Sequence, residues 1–446
     1  ERKGGNPEPT CANRAIRPTR YTRLMSRIPD PDAYFAEVVD KYSEHVNPYL
    51  AKLLAFAGFG VEVYGEGCYI EDHEGRRYLD CLGGYGTFAL GHRHPKVVEA
   101  VKHQLESLGM SGKAFFSKPA ADLAAELAKI APLGLQYTFF SNSGTEAVEA
   151  ALKFAKVATG RSRIVSTIGG YHGKTLGALA TTGREKYRKR VEPLMPGVEF
   201  IPYGDASAAF AAIDDQTAAF IVEPIQGEGG IHVPPDGYLR GIREACDRTG
   251  ALLIADEVQT CIGRTGAMFG CDHEGVSPDI MTLAKQLGGG VMPIGATMGT
   301  AAVWEKVFSE NPLMHTSTFG GNPLACSAGL AAVRVVQDED LVARSRDRGA
   351  LMLELLREMQ HRHTDLVADV RGKGLMIGVE FAMDEVGELT VAQMLKRGMC
   401  AAYTLNNPRV IRLEPPLIIS EDEVRKAVEI LDGALTETSE LLAMLA

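Results

Sequence analysis

The sequence predicts an α/β protein: a large domain with a mainly parallel central sheet covered by helices, plus a smaller α+β domain from the N- and C-terminal segments. Three observations predict it. From about Pro95 to Leu330 the short apolar runs "YTFF", "RIVST", "EFIPY", "AAFIVEPI", "ALLIADEV" and "IMTLA" alternate with helical segments or long loops, the pattern of a parallel sheet covered on both faces. "VEVYGEGCYIEDHEGRRYLDCLGG" (Val61–Gly84) reads as short strands with a turn around Asp72-His73-Glu74-Gly75. Beyond Ala331, helix-like runs flank two strand-like stretches, "DLVADVRGKGLMIGVEF" and "RVIRLEPPLII". The expected organisation is a loosely ordered N-terminal arm over 1–30, a segment over 31–94 that joins the small domain, a large domain over 95–330 and a C-terminal small domain over 331–446.

Composition narrows the function classes. The 446 residues are 45% hydrophobic, enough to bury a large core, and the formal net charge of −10 argues against a nucleic-acid binder. The basic run "REKYRKR" (Arg184–Arg190) reads as a solvated face. No stretch is apolar enough to span a bilayer, and "ERKGGNPEPTCANRAIRPTR" has no apolar core of a secretory signal. The eight cysteines form no C-x-x-C pair, so reduced thiols and a cytoplasmic setting are expected.

Four stretches carry chemistry. In "FFSNSGTEAVEAALKFAKVATG" (Phe139–Gly160) a strand runs through a small-residue loop into a helix with apolar positions at i, i+3 and i+4. Ser143 and Glu146 fit a capping box, and the N–H groups of Gly144 and Thr145 suit a phosphate. Taken alone, plain helix capping is the commoner reading. "GGYHGKT" (Gly169–Thr175) ends like a phosphate-binding P-loop, but the glycine required five residues before Gly173 is Ile168. With the acidic strand "ALLIADE", it makes a nucleotide hydrolase a competing expectation. Tyr171 and His172 on the same loop could instead stack on a flat cofactor.

In "ALLIADEVQTCIGRTG" (Ala251–Gly266) five apolar residues end at Asp256, and period-two alternation turns Val258 to the same side. A carboxylate in the crevice beyond a strand end requires a cation or a metal. No metal-ligand spacing accompanies it, so a protonated ring nitrogen is the expected partner. In "PDIMTLAKQLGGG" (Pro278–Gly290) Lys285 lies just past a buried strand, where a partly desolvated amine is more easily deprotonated. A phosphate cup, a carboxylate and an amine at three strand ends fit pyridoxal phosphate. The G-x-G-x-x-G of a dehydrogenase is missing after the first strand.

From about Tyr64 onward the chain resembles the class III pyridoxal-phosphate aminotransferases of fold type I. The stretches that carry the resemblance are "NSGTEAVEAALK", "YHGKTLGAL", "EPIQGEGG", "DEVQTCIGRTG", "LAKQLGGGVMPIGA", "TFGGNPLAC", "RGKGLMIGVEF" and "IRLEPPL". Within the family it is most similar to putrescine and related diamine aminotransferases, then to ornithine and acetylornithine aminotransferases. The resemblance implies that Lys285 forms the Schiff base with the cofactor and that Asp256 pairs with the ring nitrogen. It implies that Val258 and Tyr171 sandwich the ring, that Gln259 lies near its phenolic oxygen, and that Ser143, Gly144 and Thr145 hold the phosphate. Thr318 would reach the phosphate of a neighbouring subunit, which implies a homodimer, or a dimer of dimers, with shared active sites. Arg412 would hold the carboxylate of a 2-oxo acid, and Glu228 would pair with it when the bound amine has no carboxylate.

The expected reaction is ping-pong transfer of an amino group from a primary amine to a 2-oxo acid such as 2-oxoglutarate or pyruvate. The expected partners are these small molecules, with no nucleic acid, membrane or metal. Lys113 in "LGMSGKAFFSKP" stands where diamine-specific relatives carry a neutral amide, and it would repel the distal ammonium of putrescine. Phe115 and Phe116 add apolar surface. An ornithine-type or longer apolar amine is therefore the alternative substrate. Aminomutase or decarboxylase chemistry, the nucleotide hydrolase and a non-catalytic assembly protein are the competing readings.

Overall fold

A computed structural model of the protein describes residues 28–445. Except for its last three residues, the expected N-terminal arm lies outside the described residues, as does Cys11. The packing resolves into two compact units. The first includes the chain up to Tyr64 together with Ile70–Arg77. Its helices Pro31–His45 and Pro48–Phe56 each start with a side-chain cap followed by proline. Asp30 accepts from Ala33 N at 3.0 Å, and Asn47 accepts from Tyr49 N at 3.0 Å and from Leu50 N at 3.2 Å. The caps satisfy N–H groups that no earlier turn can reach, and proline at the first position presets φ. The expected turn forms, with Asp72 Oδ1 accepting from Glu74 N and Arg76 N at 3.0 Å each.

The second unit comprises Gly65–Tyr69 and Tyr78 onward. Its large sheet has seven strands: Leu135–Ser141 (β1), Arg163–Thr167 (β2), Val198–Ile201 (β3), Thr217–Val222 (β4), Leu252–Asp256 (β5), Ile280–Leu283 (β6) and Gly295–Thr300 (β7). Their order is β1-β7-β6-β5-β4-β2-β3. The pairs from β6 through β5, β4 and β2 to β3 are parallel, while β7 runs antiparallel between β1 and β6. Every residue of β4 and of β6 is buried, as the continuous apolar runs require for a sheet covered on both faces.

Strand β7, Gly-Ala-Thr-Met-Gly-Thr, has the composition of a loop and is missing from the runs that the sequence picks out. The reason is close packing. A β-carbon at Gly295 would lie 2.2 Å from the Ser143 carbonyl oxygen, and one at Gly299 would lie 2.6 Å from the Trp304 ring. The predicted helix forms over Gly144–Thr159 (α1), buries Ala147, Ala150, Ala151, Phe154 and Ala155 on one face, and stops at left-handed Gly160.

The helix Pro323–Asp338 (α2) runs unbroken through residue 330, where a domain boundary is expected from the sequence. Beyond it, Val367–Lys373 (β8), Met376–Phe381 (β9), Ala402–Tyr403 (β10) and Val410–Leu413 (β11) form an antiparallel sheet in the order β8-β9-β11-β10. Leu79 and Asp80 pair with Met399 and Cys400, so an N-terminal stretch is built into the C-terminal part of the chain. No helix among the described residues is long and apolar enough to cross a membrane. The seven cysteines within them are buried and form no disulfide.

Gly295→Ala places a methyl group against a backbone oxygen that cannot move independently of the α1 cap. It is expected to destabilise the protein by about 1–3 kcal/mol. Urea unfolding measures this, and an unchanged midpoint would contradict the packing argument.

Candidate active site

The C-terminal ends of the parallel strands open into a cavity of about 590 Å³. Its walls include Ser143, Gly144, Thr145, Tyr171, His172, Asp256, Val258, Gln259 and Lys285, nine of the residues singled out from the sequence. Thr318, Lys113, Glu228 and Arg412 are not among the wall residues.

Asp256 ends β5 and is 3% exposed. Its Oδ1 accepts from Thr282 Oγ1 at 3.0 Å and from Val258 N at 3.1 Å, and its Oδ2 lies 2.7 Å from His172 Nδ1. Facing a carboxylate, Nδ1 carries the proton. His172 therefore supports Asp256 directly, where the sequence suggested only a stacking ring. Its Nε2 is buried with no hydrogen-bond partner among the described residues.

The α1 cap differs in one detail from the expected capping box. Ser143 Oγ accepts from Glu146 N at 3.4 Å, but Glu146 reaches back to Asn142 N at 2.7 Å, one residue earlier than the box requires. Gly144 and Thr145 then begin a helix whose first N–H groups have no intrahelical acceptor. The Gly173 loop closes on this cup. A β-carbon there would lie 2.3 Å from Thr145 Oγ1, and Gly173 has φ +125°. Thr175 Oγ1 lies 2.7 Å from Thr145 Oγ1, so "GKT" belongs to this cavity rather than forming a separate P-loop.

Lys285 follows β6 and takes φ +45°, a left-handed conformation that is strained for a residue with a side chain. Burial pushes its amine below the ordinary lysine range. Glu414 and Glu228 pull it back up, and Arg412 pushes it further down. Of the glycines after it, Gly290 has φ +70° and a site for a β-carbon 2.6 Å from the Phe88 ring, itself part of the cavity wall. The triple glycine thus lets the chain turn sharply and admits that ring.

Arg412 sits in β11 and is fully buried. Its Nη1 donates to Glu228 Oε1 at 2.6 Å and its Nη2 to Glu228 Oε2, while Leu405 N donates to the same Oε2 at 2.8 Å. Burial alone would raise Glu228, but the charge and hydrogen bonds of Arg412 hold it below the usual carboxylate range. The Tyr85 ring lies 5.1 Å from the Arg412 guanidinium carbon, and Tyr85, like Lys285, has a positive φ, +58°. Thr318 is exposed, and the Lys113 ammonium donates to the Gly320 carbonyl.

The sequence reading missed Glu223, Thr282, Tyr85 and Glu414. Glu223 follows β4 as Asp256 ends β5, and that shared position was the available signal. Its Oε1 accepts from Tyr171 N at 2.8 Å and its Oε2 from Gly227 N at 3.0 Å, and burial pushes it up to about 7.

Residues 61–435 match the profile of the class-III aminotransferases. The chain belongs to this family. The ornithine aminotransferase of Toxoplasma gondii ME49 is 32% identical over 96% of this chain and 100% of its own, with a TM-score of 0.84. A transaminase from the marine bacterium Virgibacillus is 29% identical over 86% of this chain and 94% of its own, with a TM-score of 0.81. A thermostable omega transaminase from Pseudomonas jessenii is 28% identical over 88% of this chain and 96% of its own, with a TM-score of 0.80.

The aminotransferase uses pyridoxal phosphate. Its cavity suits that group: an amine with a burial-lowered proton affinity, a carboxylate anchored on both oxygens and a helix start whose first N–H groups have no intrahelical acceptor all line one space. Asp256→Asn keeps the shape of the side chain but removes its charge. Turnover is expected to fall by at least about 10²-fold with the thermal midpoint nearly unchanged. A rate near that of the wild type would remove Asp256 from the chemistry.

Proposed function

We propose that the protein transfers the amino group of a primary ω-amine to a 2-oxo acid such as 2-oxoglutarate or pyruvate. An ornithine-type or longer apolar amine stands ahead of putrescine, reversing the order expected from the sequence. The matched structures support that order: they include an ornithine aminotransferase and transaminases engineered for bulky amines.

The observation that carries the reading is the buried Arg412–Glu228 pair. A two-substrate transaminase must accept an amine and then an acid in one site. Removing one partner from a buried pair costs about 3–5 kcal/mol, because the other charge is left bare. An incoming carboxylate on Arg412 would replace Glu228 and avoid that cost. With an amine that has no carboxylate, the pair stays closed.

When bound, pyridoxal phosphate supplies an electron sink for charge that develops at the substrate carbon. Asp256, steadied by His172 and Thr282, would hold a proton on the ring nitrogen. The amide groups of Gly144 and Thr145, with Ser143 beside them, would take the phosphate. Val258 and Tyr171, both in the cavity wall, would hold the ring between them. Lys285 moves a proton from the substrate carbon as general base, a task that its burial-lowered proton affinity favours. A homodimer in which Thr318 reaches the neighbouring phosphate, a substrate-facing Lys113, a small domain that starts near residue 331 and a cytoplasmic setting belong to the same proposal.

A panel of ornithine, putrescine, cadaverine, a monoamine and a bulky apolar amine, each with 2-oxoglutarate or pyruvate, tests it through glutamate or alanine formed. Product formation with none of them would overturn the reading, and amine rearrangement without an acceptor would favour an aminomutase. Arg412→Ala is expected to slow the acid half-reaction at least tenfold more than the amine half-reaction in single-turnover measurements. Equal slowing would make the arginine structural.

A further inference from the structure

Glu414 is a fully buried carboxylate directly after β11. Both of its oxygens accept from a single neutral group, Gln259 Nε2, at 2.8 and 3.0 Å. An amide donor solvates a carboxylate without neutralising it, and an uncompensated charge at this depth is costly. Two buried arginines, Arg264 and Arg412, feel its charge, but neither is hydrogen-bonded to it. Arg412 is committed to Glu228. Arg264, also fully buried, donates through Nη1 to the carbonyls of Leu375 and Pro415 at 2.9 and 2.6 Å, and its Nε and Nη2 find no hydrogen-bond partner among the described residues.

Gly86 shows that the Lys285 side chain passes beside the same carboxylate. A β-carbon there would lie 3.6 Å from Glu414 Oε2, 3.7 Å from Gln259 Cγ and 3.7 Å from Lys285 Cδ. The three side chains converge on one glycine face. Because Gln259 directs its –NH2 at Glu414, its Oε1 turns toward Gly227, where a β-carbon would be only 1.7 Å away.

We propose that Glu414 is a positioning residue for the transamination: it fixes the Gln259 amide and supplies the negative charge that keeps a proton on the Lys285 nitrogen. The inference rests on the Schiff-base role proposed for Lys285. The other charged or titratable groups acting on Lys285 are Glu228 with Arg412, Glu223, and Cys261, whose thiol burial keeps neutral; Asp256 with His172 lines the same cavity. Glu414 is the strongest of the pulls that oppose the burial of Lys285.

The test is a pH titration of the visible cofactor band in the holoenzyme. Glu414→Gln removes the charge and keeps the shape, so the midpoint should fall by about one pH unit or more, a tenfold loss of proton affinity. Glu414→Asp keeps the charge at a greater distance, so its midpoint should lie between those of the wild type and Glu414→Gln. It also provides the test if the glutamine variant does not fold. A wild-type midpoint in whichever variants fold would overturn the proposal. A wild-type protein with no visible band would instead overturn the role of Lys285 on which it rests.

Discussion

A lysine amine taken out of water at a strand end is the constraint on which the rest of the site depends. Burial lowers its affinity for a proton, which chemistry at neutral pH requires, but a charge at that depth has to be balanced. The chain surrounds it with carboxylates that are each held in a different way. Glu228 is gripped by Arg412, Asp256 by His172 and Thr282, Glu414 by the amide of Gln259, and Glu223 by two backbone N–H groups. Burial lowers the proton affinity of Lys285, Glu414, Glu228 and Glu223 raise it, and Arg412 lowers it further.

Rigidity comes from the sheet. Parallel strands deliver Asp256 and Lys285 to the same edge, and adjacent pairing of β5 with β6 fixes their separation. Glycines let backbone approach backbone around the cavity, as at Gly173 against Thr145 and Gly295 against Ser143. Lys285 and Tyr85 are held in left-handed conformations that side chains avoid. Backbone strain of this kind persists only where surrounding contacts dictate it; of the seven described non-glycine residues with positive φ, these two lie at the buried amine and at the ring beside Arg412.

Much of this was legible in the sequence. Buried runs ending in Asp256 and Lys285 announce the strand ends, because a charge directly after a fully apolar run marks the point where a buried strand leaves the sheet. The α1 start was readable from Ser143 and Glu146, although the reach of Glu146 to Asn142 was not, since spacing does not fix which of two adjacent N–H groups a flexible side chain chooses. Strand β7 was hidden because close packing requires glycine at two of its positions, Gly295 and Gly299, which gives it the composition of a loop. His172 and Glu414 were opaque for another reason: their partners lie 84 and 155 residues away in the chain, and no local pattern records such pairings. The boundary expected near residue 330 lies within helix α2, because a loss of strand signal marks where the sheet ends and carries no information on where a helix stops.

The central claim is that the amine before the three glycines carries the cofactor. Borohydride reduction of freshly purified protein, followed by peptide mapping, tests it most directly. The account predicts a single pyridoxyl-phosphate adduct on the peptide containing Lys285. An adduct on a different lysine, or none at all, would contradict it.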